Sequence, residues 1–178
     1  MNKHRIGSDD AMWYVIQVKS GNEHKIKSIC EKCLKYENED VFIPIKIVKK
    51  RFKGIDKEIQ TKLFPGYIFF LTEDVDGLFF RLKRVKELTK ILKTGDVFVP
   101  LTEQEEAFLK RLMNPEYKVE MSFGFIEGER VVITEGPVMG LEGMIKRIDR
   151  HKKQAVLKTE FFGKPTEIMV GLEIIDKY

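Results

Sequence analysis

Cysteine, histidine and long apolar runs are all scarce in this sequence. The cysteines are Cys30 and Cys33, and the histidines are His4, His24 and His151. Two thiols three residues apart cannot staple a secreted disulfide scaffold. A four-ligand zinc site needs two further ligands, and only His24 is near in sequence. Both cysteines also fall on an apolar helical stripe, so they read as small core residues, and no metal or other cofactor is expected. No apolar run approaches the roughly 18 residues of a membrane span. The opening MNKHRIGSDDA has no apolar centre of a signal peptide. Residues 1–11 therefore read as a tail or a cloning scar, Met12 as the natural start, and the protein as cytoplasmic, with no membrane partner. Charge of one sign is also scarce: 32 Lys+Arg against 28 Asp+Glu leave a net charge of +4. That excludes a histone-like polycation but leaves room for local basic patches. No nucleophile–base constellation, metal cluster or phosphate loop is present, so an enzyme is set aside. Gly136, Gly140 and Gly143 are not followed by Lys-Ser/Thr and read as turn and bulge glycines.

What is present suffices for a core. The chain has 178 residues, 43% of them apolar. At roughly 100–200 residues per domain, that is one large domain or two small ones. WYVIQV (13–18) predicts a strand. Asn22 predicts a helix cap, with Ile26, Ile29, Cys30, Cys33 and Leu34 on one helical face. VFIPIKIV (41–48) predicts a strand, and 49–62 a polar, basic hairpin hinged on Gly54. FPGYIFFL (64–71) predicts a strand too apolar to be exposed on both faces. A helix is expected from Asp74 or Asp76, with Leu78, Phe79, Leu82 and Val85 inward and Arg81 and Arg84 outward. Thr102 and Glu105 form a capping-box pattern opening a helix that is acidic at its start and basic at its end. Asn114-Pro115 breaks that helix, and 114–124 reads as a linker. From Gly128 onward, short β segments with turns between them suggest a small β-barrel.

Charge by segment points to candidate contacts. Residues 12–122 hold 21 basic and 17 acidic side chains, and 123–178 hold nine of each. Within the neutral second segment, Lys146, Arg147, Arg150, His151, Lys152 and Lys153 cluster against one Asp149. Lys49, Lys50, Arg51 and Lys53 form a second basic run, either a solvated loop or a contact with DNA or polymerase. The 146–153 run contains no aromatic for base stacking, so its cations suit duplex phosphates better than a single strand. Tyr67 and Phe69 share one face of their strand, and Ile68 and Phe70 the other. Each aromatic is either packing or, if a small domain leaves one face uncovered, part of a protein contact.

WYV, FPGYIFF, GERVVITEGPVMGLEG (128–143) and Phe161-Phe162-Gly163-Lys164 occur in an order and spacing that resemble the NusG family of transcription elongation factors across nearly all of 12–178. The resemblance implies an α+β fold in two domains. These are an NGN domain over 12–113, an antiparallel sheet with helices, and an SH3-like KOW barrel over 125–178. It implies an NGN domain that binds the clamp helices of RNA polymerase, with Phe64, Tyr67 and Phe69 matching the patch motif. It also implies a KOW domain that recruits ribosomal protein S10 or Rho, with Phe162 matching the partner-binding phenylalanine. Arg84-Val85 stands where some relatives carry an Asn-Thr pair that reads non-template DNA, so sequence-specific pausing there is in doubt. The basic run at 146–153 makes the chain look like the LoaP-type antiterminators, which act on selected operons and bind an RNA hairpin in the nascent leader. On that reading the cations at 146–153, with Arg81, Arg84, Lys49, Lys50 and Arg51, meet nucleic acid. The protein is then a monomer that promotes elongation through terminators. The alternative is a general NusG whose KOW domain binds S10 or Rho and not RNA. An RNA- or ribosome-binding KOW protein without polymerase contact is disfavoured by the 64–71 motif. Fold switching of the second domain finds no support, because Val131, Val132, Ile133, Ala155, Val156, Ile168 and Val170 are β-prone and glycines punctuate the region.

Overall fold

The structure is a computed structural model, and it describes residues 11–89 and 98–175; residues 1–10 of the expected tail lie outside them. In chain order the elements are β1 (Met12–Gln17), α1 (Glu23–Glu31), β2 (Asp40–Phe42), β3 (Ile45–Phe52), β4 (Ile55–Lys62), β5 (Tyr67–Thr72), α2 (Val75–Lys83) and α3 (Lys86–Thr89). They continue with β6 (Val99–Pro100), α4 (Glu103–Leu112), β7 (Lys118–Val119), β8 (Ser122–Glu127), β9 (Arg130–Glu135), a 3-10 turn (Glu142–Met144), β10 (Ile145–Asp149), β11 (Gln154–Phe161) and β12 (Lys164–Ile174). The chain divides into two compact units, Met1–Ile43 with Phe64–Glu106, and Pro44–Leu63 with Ala107–Tyr178.

The first unit is a four-stranded sheet in the order β2-β5-β1-β6. Alternation along β1 and β5 sends Ile16, Ile68 and Phe70 to one face, where they pack with Ile26 and Cys30 of α1, Leu78 and Leu82 of α2, Leu88 and Phe98. Helix α1 is shorter than its stripe predicts. It ends at Glu31, so Cys33 and Leu34 pack against the core from the chain that follows. Asn22 occupies the N-cap position, but its side chain makes no cap hydrogen bond. The neighbouring Glu23 supplies the acceptor instead: its buried carboxylate takes the Gly21 N–H at 2.7 Å and the Gly66 N–H at 2.8 Å. Gly66 has φ +85, and the Val18 carbonyl lies 3.3 Å from where a Cβ would stand, so the turn before β5 needs glycine. At α2, Asp74 caps as expected, accepting from Gly77 N–H at 2.9 Å.

The expected strand over 41–48 is two strands. Pro44 has no N–H to continue a ladder, and the chain changes sheets there: β2 pairs with β5, whereas β3 pairs with β4. The second unit holds a three-stranded sheet, β4-β3-β7, and a five-stranded sheet, β10-β11-β12-β8-β9. The segment 114–124 contains β7, which pairs in parallel with β3, and the start of β8. The 3-10 turn packs on both β9 and β11, and the five-stranded sheet curls toward a barrel. Leu157, Phe161, Ile168, Val170 and Leu172 fill its interior. Helix α4 opens with the expected reciprocal cap: Thr102 N–H donates to Glu105 at 2.8 Å, and Glu105 N–H to Thr102 Oγ1 at 3.2 Å.

Candidate functional site

The aromatic motif of β5 is buried on both faces. Phe69 is 0% exposed and Phe64 6%. Phe69 stacks on Phe42 with centroids 5.5 Å apart, meets Phe64 at 5.6 Å, and Trp13 stands edge-on to Phe42 at 5.0 Å. Of the three aromatics that match the patch motif, only Tyr67 is half-exposed. Phe64 and Phe69 lie beneath the surface.

Arg81 does not point outward, contrary to expectation. Its guanidinium pairs with the Glu39 carboxylate, whose side chain is 1% exposed. The Arg81 Nε–H also donates to the Cys33 carbonyl at 3.0 Å, and the head lies 5.5 Å from the centre of the Tyr36 ring. Glu39 further accepts from the Lys35 N–H at 2.7 Å and the Thr72 hydroxyl at 3.2 Å. A buried carboxylate needs such a partner set, so Arg81 is held by the fold. Arg84 at the end of α2 is exposed, with its guanidinium 5.7 Å from the ring centre of exposed Phe80, while Val85 packs against the core.

The basic hairpin of β3 and β4 turns at Lys53-Gly54, both left-handed at φ 50 and 85. Register places Lys49 opposite Glu58, Lys50 opposite Lys57, Arg51 opposite Asp56 and Phe52 opposite Ile55. Strand alternation then separates two faces. One carries Lys50, Lys57 and the exposed pair Phe52 and Ile55. The other carries Lys49, Arg51 and Asp56. Lys49 is ion-paired to Glu173 at 2.5 Å and lies 5.2 Å from the Phe123 ring centre. Lys50, Arg51 and Lys53 are exposed, and Arg51 Nε–H donates to the Gly54 carbonyl at 3.3 Å.

The cations of 146–153 divide in the same way. Lys146 pairs with Glu167 across the sheet. Lys153, in the left-handed region at φ 53, reaches Asp56 at 2.6 Å and Glu173 at 2.5 Å. Hydrogen bonds that the Lys153 ammonium donates to Asp56 and then to Glu173 hold it charged beyond its ordinary range. The hydrogen bond from Lys153 pulls the Asp56 carboxyl down. Burial pushes Glu173 up, but the bonds from Lys153 and Lys49 outweigh it and leave its carboxyl low. Arg147 on β10, and Arg150, His151 and Lys152 in the turn after it, are exposed. Lys152 Nζ stands 3.9 Å from Asp149, and its N–H donates to the same carboxylate at 2.9 Å. The anions that engage Lys153 and Lys49 escape a local reading of the sequence: Asp56 lies 97 positions from Lys153, and Glu173 124 from Lys49.

Phe162 sits at a left-handed turn position, φ 57, half-exposed, with its ring 5.8 Å from buried Phe161. Cys30 is fully buried, and burial pushes its thiol up to about 12. No group of three or more metal-ligating side chains occurs among the described residues, and no described helix is long and apolar enough to cross a membrane.

A family model described as "Transcription termination factor nusG" matches residues 11–110. The chain is 29% identical over 171 residues to the transcription termination/antitermination protein NusG of Rickettsia typhi, covering 93% of this chain and 89% of that one. It is 26% identical over 172 residues to the protein of the same name from Pasteurella multocida, covering 93% and 94%. Among solved structures, one titled "Domain interaction in Thermotoga maritima NusG" is 26% identical and covers 90% of this chain and 93% of that one, at a TM-score of 0.45.

Proposed function

The chain belongs to the NusG family, and from that premise we propose that it is a specialised antitermination factor, of the LoaP type, that binds a nascent RNA hairpin. Transcription termination and antitermination is the business of the family. The narrower reading is carried by one observation: Arg147, Arg150, His151 and Lys152 stand exposed together at one strand end and turn of the second unit. Phosphates supply the affinity for such a cluster, and arginine forks can also pair guanine edges where a bulge or loop opens the groove. In this reading the first unit binds the clamp helices of RNA polymerase through Tyr67, while Phe64 and Phe69 are core. Arg84, beside exposed Phe80, faces non-template DNA. The factor works in the cytoplasm, where transcripts of long operons are made.

Titration of the purified protein with leader hairpins tests the RNA reading. Arg147→Ala and Arg150→Ala should weaken the cognate hairpin more than a scrambled one. Equal affinity for both RNAs in the wild type, unchanged in these variants, would refute it. A second reading rests on Phe162: a half-exposed aromatic at a turn suits a protein partner such as ribosomal protein S10 or Rho. Under that reading Phe162→Ala abolishes partner capture and RNA affinity is negligible throughout.

A further inference from the structure

We propose that the RNA surface is built from two hairpin tips, the turn between β3 and β4 and the turn between β10 and β11, and that Lys153 is a positioning residue between them. This rests on the RNA reading above. The motivating geometry is a chain of four alternating charges within the second unit: Asp56, Lys153, Glu173 and Lys49, linked at 2.6, 2.5 and 2.5 Å. Its members cancel. It therefore engages two of the cations that the sequence offers for RNA, together with the two nearest carboxylates. What is left exposed at the tips is Arg51 and Lys53 on one side, and Arg150, His151 and Lys152 on the other.

The link also fixes where those cations stand. Asp56 is the cross-strand partner of Arg51 and lies three residues from Lys53. Lys153 directly follows Lys152. One direct ion pair spans tips that lie almost a hundred residues apart in sequence. Two tips at a fixed separation can take one strand each across the groove of an A-form stem, a target recognised by shape and backbone. Lys53 and Lys153 both sit in the left-handed region, at φ 50 and 53. The left-handed conformation is costly for a non-glycine residue and persists where its surroundings hold it.

The test is fluorescence anisotropy of the full chain across a potassium chloride series. The probes are a stem–loop RNA with a bulged GC-rich stem and a DNA duplex of the same sequence. Arg51→Ala with Lys53→Ala should weaken RNA binding about tenfold and reduce the salt slope by about two, one for each phosphate that the variant no longer neutralises. Asp56→Asn removes a negative charge, yet it should weaken RNA binding, and Asp56→Glu should restore it. Tighter RNA binding by Asp56→Asn would overturn the positioning role, because Asp56 would then act only by repelling phosphate. If Arg150→Ala weakens RNA while the Arg51/Lys53 double variant leaves affinity and slope unchanged, the two-tip surface is wrong and the RNA reading stands. If the wild type binds DNA duplex as well as RNA, and Arg150→Ala changes neither, the RNA reading itself falls.

Discussion

The two units use similar side chains to different ends. In the first, Arg81 is tied to buried Glu39, and Phe64 and Phe69 lie beneath the surface. In the second, Arg147, Arg150 and Lys152 stand at the surface, and the ion pairs near them remain open to water, with Lys153 and Asp56 side chains 25% and 34% exposed. A guanidinium facing a desolvated carboxylate is committed to folding, since removing it strands a buried charge. A cation whose partner is solvated contributes little to stability and remains available to orient or bind a ligand. Substitutions in the first unit should therefore register in stability, and those at the tips of the second in binding.

The largest expected effect is at Phe69. Phe69→Ala should cost about 4 kcal/mol in equilibrium denaturation, because it empties a site enclosed by Phe42 and Phe64. A loss below about 1 kcal/mol would mean that the ring is not core. Next, Arg81→Met should destabilise by about 3 kcal/mol and leave RNA affinity unchanged. Normal stability with abolished RNA binding would move Arg81 into the interface and blur the contrast between the units.

Tyr67→Ala sharpens the contrast inside the first unit. Its half-exposed ring should cost polymerase binding about 2 kcal/mol, with a smaller effect on folding. Co-sedimentation with polymerase reads the former and circular dichroism melting the latter. Unaltered polymerase binding by a folded variant would remove Tyr67 from the contact.

A pH series isolates the buried thiol. Cys30 is raised from 9.0 to about 12 by burial first, with Cys33 and Glu31 adding to it. The folded state then holds a proton that the unfolded state has released, so this residue's contribution is intact below about pH 9 and falls as pH rises toward 12. Comparing the alkaline denaturation of wild type and Cys30→Ala should show a shallower decline in the variant. The smallest expected stability change is that of Lys153→Met, whose partners Asp56 and Glu173 both keep contact with water, at 34% and 20% side-chain exposure. A cooperative loss of structure in that variant would show the four-charge chain to be a folding element.

The fold was largely legible in order and type because local rules agreed with it. Thr102 and Glu105 announced α4, Asp74 capped α2, and a basic glycine turn announced the β3–β4 hairpin. The break at Pro44 was written in the same sequence but was masked by the apolar residues on either side, which satisfy two different sheets. The candidate surfaces were less legible. A run of cations such as 146–153 gives their number but not their partners. Glu167, Glu173 and Asp56 reach them only through strand pairing and packing distant in sequence. Arg81 shows the same limit: helical spacing gave it an outward direction, and the turn carrying Glu39 supplied the carboxylate that captured it. Phe69 reads equally as patch or core until the sheet is assembled around it.

The most direct test of the central claim is the salt dependence of hairpin binding by the wild-type chain and by Arg147→Ala with Arg150→Ala. Expected are tight, salt-sensitive binding to a bulged RNA stem, a slope lower by about two in the double variant, and no remaining preference for the cognate RNA in that variant. A wild-type slope near zero, with the double variant indistinguishable from it, would mean that these arginines do not meet RNA.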